Sequence, residues 1–320
     1  MPNKIIVTGA LGHIGSRLIR ELPSSFPGSA IVMVDSMMTQ RYCSLFNLPR
    51  EGNYQFIEAD ITQMKLTPLL EGARVVIHLA AITDAAGSFD RAEQLEQNNF
   101  NATKRIAEAC AEGGVRLITL SSTSVYGTQA ALVDEDCTEE ELQPQSPYAT
   151  TKLKEERLVQ QLVKEKGLRA SVYRFGTIFG SSPGMRFHTA VNKFCWQASM
   201  GIPVTVWSTA YDQKRPYLEL GDACRAIAHI IRNELFDGRV CNVLTLNATV
   251  REIVETIRAF VPTLKVQFVE SKIMNQLSYE VSDARFRATG YTPAGDLSDS
   301  LAQELGLISL RANDRLKSYD

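Results

Sequence analysis

The run Lys4-Ile5-Ile6-Val7-Thr8-Gly9-Ala10-Leu11-Gly12-His13-Ile14-Gly15 constrains this chain more than any other stretch. An apolar β-rich segment ends in Thr-Gly, and Gly9, Gly12 and Gly15 lead into the helical pattern Ser16-Arg17-Leu18-Ile19-Arg20. Strand, glycine turn and helix N-terminus in that order form a cradle for a pyrophosphate: backbone N–H groups face the anion and the helix dipole favours it. The spacing is G-x-x-G-x-x-G, one residue wider at its first gap than the common dinucleotide fingerprint.

The segments beyond the turn supply the rest of a nucleotide site. A helix is expected to run through Leu22 and stop at Pro23. Next comes a buried strand, Ala30 to Val34, that ends in Asp35, about 20 residues beyond the last glycine. A carboxylate there accepts from both ribose hydroxyls and repels a 2′-phosphate, which argues for NAD over NADP. Gln55 to Ile61 reads as a third strand, with Asp60 and Ile61 placed to meet an adenine edge. Arg74 to Ala81 reads as a fourth, whose small residues at the end let backbone approach a ligand. His78, in that apolar setting, reads as a core histidine.

Gln94 to Ala111 is a helix, and Leu117 to Leu120 a strand that runs into the hydroxyl cluster Ser121-Ser122-Thr123-Ser124. Pro147 opens a helix carrying Tyr148 and Lys152. Four residues apart, they share one helical face, and an ammonium beside a phenol favours the phenolate. Ala170 to Phe175 is the sixth strand. Strands and helices alternate throughout the first half, which predicts an α/β, Rossmann-type doubly wound parallel sheet. From Ile178 the elements shorten and a smaller α/β lobe is expected. The boundaries are 1–177 for the nucleotide domain and 178–320 for the lobe, with about 217–246 packing back on the first domain.

Composition excludes other classes. A net charge of −2 without a basic block argues against nucleic acid and membrane surfaces as partners. The six cysteines contain no C-x-x-C pair, so reduced thiols and no metal are expected. No apolar run is long enough to cross a bilayer and the first strand begins within a few residues of Met1, so a cytoplasmic location is expected.

Together these motifs resemble the extended short-chain dehydrogenase/reductase superfamily, in its NAD-dependent nucleotide-sugar epimerase/dehydratase branch. The residues carrying the resemblance are Thr8 with the glycine triplet, Asp35, Asp60-Ile61, His78-Leu79-Ala80-Ala81, Asn99, Ser122 before Val125-Tyr126-Gly127, and Tyr148-x-x-x-Lys152. The wide glycine spacing is that superfamily's variant. The resemblance implies NAD held by Gly9, Gly12, His13, Ile14, Gly15, Asp35, Asp60, Ile61, Leu79, Ala80, Ala81, Asn99, Tyr148 and Lys152. It implies Tyr148 as general base, Lys152 on the nicotinamide ribose, and Ser122 hydrogen-bonded to the reacting hydroxyl. For the nucleotide-diphosphate sugar it implies Ser122, Ser124, Tyr148, Thr177, Arg186, Asn192 and Arg215. A second phosphate arginine, usual shortly before Asp283, is missing from Met274 to Tyr279, with Arg285 or Arg287 as candidates to compensate.

The expected reaction is C4 epimerisation of a UDP-glucose/UDP-galactose type of substrate through a keto-sugar. Dehydration is disfavoured because Thr123 and Ser124 stand where dehydratases carry the Asp and Glu that eliminate water. An NAD(P)H-dependent reductase of a 4-keto-sugar is the alternative, and a non-catalytic NAD-binding scaffold or sensor a lesser one. Relatives often pair through the helices bearing Asn99 and Tyr148, which implies a homodimer.

Overall fold

The computed structural model describes residues 3–83, 92–127, 131–270 and 278–316, with side chains as far as 308. The chain runs β1 (Lys4–Thr8), α1 (His13–Ser25), β2 (Ala30–Asp35), β3 (Asn53–Glu58), α2 (Thr67–Leu70), β4 (Ala73–His78), α3 (Ala92–Gly113) and β5 (Arg116–Ser122). A short strand β6 (Leu132–Val133) precedes α4 (Pro147–Lys166), β7 (Ala170–Phe175) and β8 (Thr177–Phe179). Then come α5 (Ala190–Ser199), β9 (Val204–Trp207), β10 (Lys214–Glu219), α6 (Leu220–Arg232), β11 (Val240–Val243) and β12 (Leu246–Thr249). The last elements are α7 (Val250–Phe260), β13 (Val266–Val269), β14 (Glu280–Val281), α8 (Ala284–Arg287) and α9 (Leu297–Leu316).

Seven strands form the main sheet in the order β3-β2-β1-β4-β5-β7-β11, and every pairing in it is parallel. The order reverses between β1 and β4, and in an open parallel sheet the crevice at that switch point is where a ligand sits. Alternate residues of one strand serve opposite faces. Ile5 and Val7 join the core under α1 and α6, with Leu18, Leu22, Ile227 and Ile231. Ile6 joins the core under α3 and α4, with Ile106, Val159 and Leu162.

Two sequence expectations are corrected. The first helix does not stop at Pro23 but carries it to Ser25. In the last turn a proline forfeits only the bond to the carbonyl of Ile19, and Phe26 N–H still closes on Leu22 O at 2.8 Å. The third strand ends at Glu58, so Asp60 lies in the turn beyond it, where its Oδ1 accepts from Thr62 N (2.8 Å) and Thr62 Oγ1 (2.7 Å).

At Gly176 the chain leaves the main sheet. β8 pairs in parallel with β10, which pairs antiparallel with β12, while β9 pairs with β13 and β6 with β14. α6 then returns to pack on α1, and β11 adds to the main sheet beside β7. The lobe has its own core, formed by Phe179, Val191, Phe194, Val206, Ile253 and Leu301.

Candidate active site

The glycine turn is fixed by contacts only glycine permits. Gly9 has φ +64°, and a Cβ there would lie 2.6 Å from the backbone nitrogen of Ala80; a Cβ on Gly15 would lie 2.5 Å from Gly9 O. Asp35, at the end of β2, accepts from Leu11 N–H and Met37 N–H at 3.0 Å each, one on either oxygen. It thereby ties the turn to the strand end, and each oxygen keeps a lone pair for a ribose hydroxyl. Across the switch point, His78 Nδ1 lies 2.7 Å from Thr8 Oγ1; burial and the Lys152 charge push its pKa down to about 3, so the ring stays neutral. Asn99 grips the backbone of Ile82 from both sides, Oδ1 accepting from N–H (2.8 Å) and Nδ2 donating to the carbonyl (2.9 Å). It is fully buried and shapes the loop after β4 from behind.

Ser122 ends β5, and Tyr148 lies in the first turn of α4. Ser122 Oγ accepts from Ser124 N–H (3.2 Å) and from Ser124 Oγ (2.9 Å). Ser146 caps α4 by accepting from Ala149 N–H at 3.2 Å, with Pro147 in the first turn, so Tyr148 sits at the helix start. Lys152, one turn later, has Nζ 5.9 Å from the Tyr148 ring centroid. Behind them lies a buried clamp. Glu156 accepts from Arg174 Nε (3.0 Å), from Arg174 Nη2 (2.7 Å) and from Ser121, while Arg174 Nη1 donates to Tyr126 Oη at 2.9 Å. Burial would lower the Arg174 guanidinium, but the Glu156 carboxylate holds it above its ordinary value.

The turn, the triad and the second lobe enclose one cavity of about 550 Å³. Gly9, Gly12, His13, Ile14, Gly15, Leu79, Ala81, Ser122, Ser124, Tyr148, Lys152, Thr177, Arg186 and Arg215 all line it. Asp35, Asp60, Ile61, Ala80, Asn99 and Asn192 stand outside the lining. Its charged walls are Arg41, Lys152, Arg186, Lys193 and Arg215; no aspartate or glutamate lines it among the described residues. In a chain of net charge −2 that concentration of cations fits a ligand carrying phosphates.

Asn192 is buried, one helical step behind the wall. Its Oδ1 accepts from Gly180 N–H (3.2 Å) and its Nδ2 donates to Arg186 O (3.1 Å), with His13 Nε2 at 3.4 Å. The residues that α5 shows to the cavity are Ala190, Lys193 and Phe194. Two further lining residues, Arg41 and Tyr279, carry no sequence motif that marks them. Arg41 reaches in from the loop after β2. Tyr279 stacks 5.0 Å from the Arg215 guanidinium and donates to Thr123 O at 3.0 Å. Neither candidate substitute for the second phosphate arginine reaches the site: Arg285 pairs with Asp136 at 2.5 Å and Arg287 with Asp283 at 2.8 Å. Residues 274–277 fall outside the described residues.

This fold and this layout define an NAD-dependent enzyme of the extended short-chain dehydrogenase/reductase superfamily. The sequence profile of the NAD dependent epimerase/dehydratase family matches residues 5–243, and the chain belongs to that family, whose cofactor is NAD. It is 29% identical to an uncharacterised UDP-glucose epimerase of Bacillus subtilis, over 96% of this chain and 98% of that one. Among solved structures it resembles the UDP-glucuronic acid 4-epimerase of Bacillus cereus in complex with UDP-glucuronic acid and NAD. The TM-score there is 0.85 at 27% identity, covering 96% of this chain and 99% of the other. The dTDP-glucose 4,6-dehydratase DesIV of Streptomyces venezuelae shares the fold, with a TM-score of 0.86 at 21% identity, over 97% and 98% of the two chains.

Proposed function

We propose that the protein epimerises a nucleotide-diphosphate sugar at C4, through a transient keto-sugar, with a UDP-hexose of the glucose/galactose type as the first substrate class to test. The observation that carries this reading is one cavity lined by Ser122, Tyr148 and Lys152 together with Arg186, Lys193 and Arg215, with no carboxylate among the described lining. NAD, when bound, would supply the acceptor and donor of the hydride for the sugar carbon. The chain's residues do the rest. Tyr148 takes the proton of the C4 hydroxyl as general base and returns it as general acid. Ser122 hydrogen-bonds the same oxygen, and Lys152 favours the phenolate. Arg215, stacked on Tyr279, is the planar fork for the diphosphate, and Arg186, held against Thr83, the second cation. Gly9, Gly15 and Asp35 hold the dinucleotide.

Thr123 and Ser124, both in the cavity wall, stand where dehydratases carry their Asp and Glu, and no carboxylate is among the described lining; both argue against dehydration, since elimination of water needs an acid and a base of its own. A homodimer through the outward sides of α3 and α4 belongs to the same proposal. The test is conversion of a panel of UDP-, dTDP-, GDP- and CDP-sugars, with UDP-glucuronic acid included. Product without net change in NADH supports epimerisation. Stoichiometric NADH consumption on a 4-keto-sugar would replace it with a reductase, and silence across the panel with NAD still bound would leave a scaffold.

A further inference from the structure

Two glutamates stand side by side on α4, and both carboxylates are buried, Glu155 at 4% and Glu156 at 2% exposure. Glu156 is satisfied by Arg174 and Ser121. Glu155 is placed otherwise. Its Oε2 accepts from Lys152 Nζ at 2.9 Å, while its Oε1 is buried without a hydrogen-bond partner. A carboxylate half unsatisfied in the interior is unfavourable on its own, so packing alone gives no reason for it to be there. It sits against the ammonium that faces Tyr148.

Among the described residues, the other charged and titratable groups near this pair are few. His78 of β4 is neutral. Glu156 is paired with Arg174 of β7, with Tyr126 on the same guanidinium, and makes no hydrogen bond to Lys152. α3 offers Glu96 to the exposed Lys154, away from the buried side. Glu155 is thus the one carboxylate hydrogen-bonded to Lys152 among the described residues. An ammonium has three donors; Glu155 takes one and leaves two for the cavity, the number that a ribose diol accepts.

We propose that Glu155 is a positioning residue of the catalytic pair: it anchors the Lys152 ammonium beside Tyr148 and offsets part of its charge, and so sets the pH above which the tyrosine is ionised. Lys152 then acts as a tempered cation. The Glu155 carboxylate, with Tyr148 and Glu156, also holds the ammonium above its ordinary pKa against the effect of burial, so it stays charged across the working range. The proposal rests on the reading of Tyr148 as general base, and deepens it.

The test is Glu155→Gln, which keeps the shape and removes the charge, with Glu155→Asp as the partial case. Tyrosinate absorbance of the NAD-loaded protein is titrated in each background, and the Tyr148→Phe spectrum of the same background is subtracted. With the counter-charge gone, Lys152 favours the phenolate more strongly. The midpoint is expected to fall by about one pH unit in Glu155→Gln and by less in Glu155→Asp, and the acid limb of kcat moves with it. A midpoint that is unchanged or raised in Glu155→Gln overturns the proposal. If that variant does not fold, the Asp variant decides by the same sign. The spectral readout needs no turnover. A shifted midpoint without conversion of any sugar would sink the function and keep Glu155; turnover without a shift would sink Glu155 alone.

Discussion

The two walls of the cavity are built on different principles. The first comes from the ends of parallel strands and the start of α4, so each functional residue is held by a ladder, a cap or a buried clamp: Ser122 by β5, Tyr148 by the Ser146 cap, Gly9 against Ala80. The second comes from segments that left the sheet at Gly176, and it is held by cross-links to the first. Ser182 Oγ donates to His13 O at 2.9 Å and lies 2.9 Å from His13 Nδ1; Gly184 N–H donates to Ser16 Oγ at 2.9 Å; Cys43 Sγ donates to Pro183 O at 3.2 Å. His13 is buried, which with Arg186 and Arg41 nearby pushes its pKa down to about 3, and as a neutral ring it donates at one nitrogen while Asn192 approaches the other. The chemical wall is thus rigid by topology, and the binding wall takes its position from the cofactor turn itself.

If the division is real, damage to each wall has its own signature. The largest effect is expected from Tyr148→Phe, which removes the proposed proton acceptor and leaves the packing alone. Turnover should fall by about 10²–10⁴-fold with NAD affinity retained; activity within a few-fold of wild type would mean that the base lies elsewhere. Next is Glu156→Ala, which leaves the Arg174 guanidinium buried without its partner. A loss of about 3–5 kcal/mol in folding free energy is expected, read by denaturant unfolding. A loss below about 1 kcal/mol would show that water or Tyr126 replaces the carboxylate and that the clamp does not hold the first wall.

The same division decides how much was legible in the sequence. The first wall could be read because its constraints are local: a glycine triplet, an acid at a strand end, and two residues four apart on a helix each state their geometry in their spacing. The sheet followed from alternation of strand and helix. Pro23 misled because the rule that proline stops a helix does not apply where only one bond in the last turn is lost. The second wall was harder, because nothing in its sequence says which side of α5 meets the cavity. Asn192, expected at the sugar site, is buried behind the wall, and the cavity takes Lys193, a step of about 100° further round the helix, three positions after Ala190 and beside Phe194. Arg41 and Tyr279 come from loop positions distant in sequence, and only the folded chain brings them to the glycine turn and Arg215.

On the second wall, Arg215→Gln tests binding without chemistry. Loss of a charge-assisted contact to phosphate should raise KM for the nucleotide sugar by about 10- to 100-fold and leave kcat and NAD affinity near wild type. The stack on Tyr279 keeps the side chain in place, so Arg215→Lys should recover charge but not the fork, and fall between the two. A fall in kcat as large as the rise in KM would mean that Arg215 orients the reacting carbon and that the walls are not separable.

The smallest effect on turnover is expected furthest from the chemistry. Glu304 of α9 is 1% exposed, and neither of its oxygens makes a well-formed hydrogen bond. It packs near the Cys195 thiol of α5, the helix that presents Lys193. Burial raises its carboxyl from 4.5 to about 8, with the Cys195 thiol and the Gly180 amide acting weakly the other way. The native state therefore keeps a proton that the unfolded chain releases. Between pH 4.5 and about 8 the unfolded state binds fewer protons than the native one, so stability falls as pH rises and levels off above the folded pKa. Glu304→Gln cannot ionise and should lack that component. The difference in stability between variant and wild type should grow across this window in favour of glutamine, by about 4 kcal/mol, and KM for the sugar should drift upward with pH only in wild type. A difference that is flat with pH would place the Glu304 carboxylate in contact with water and detach α9 from the positioning of the second wall.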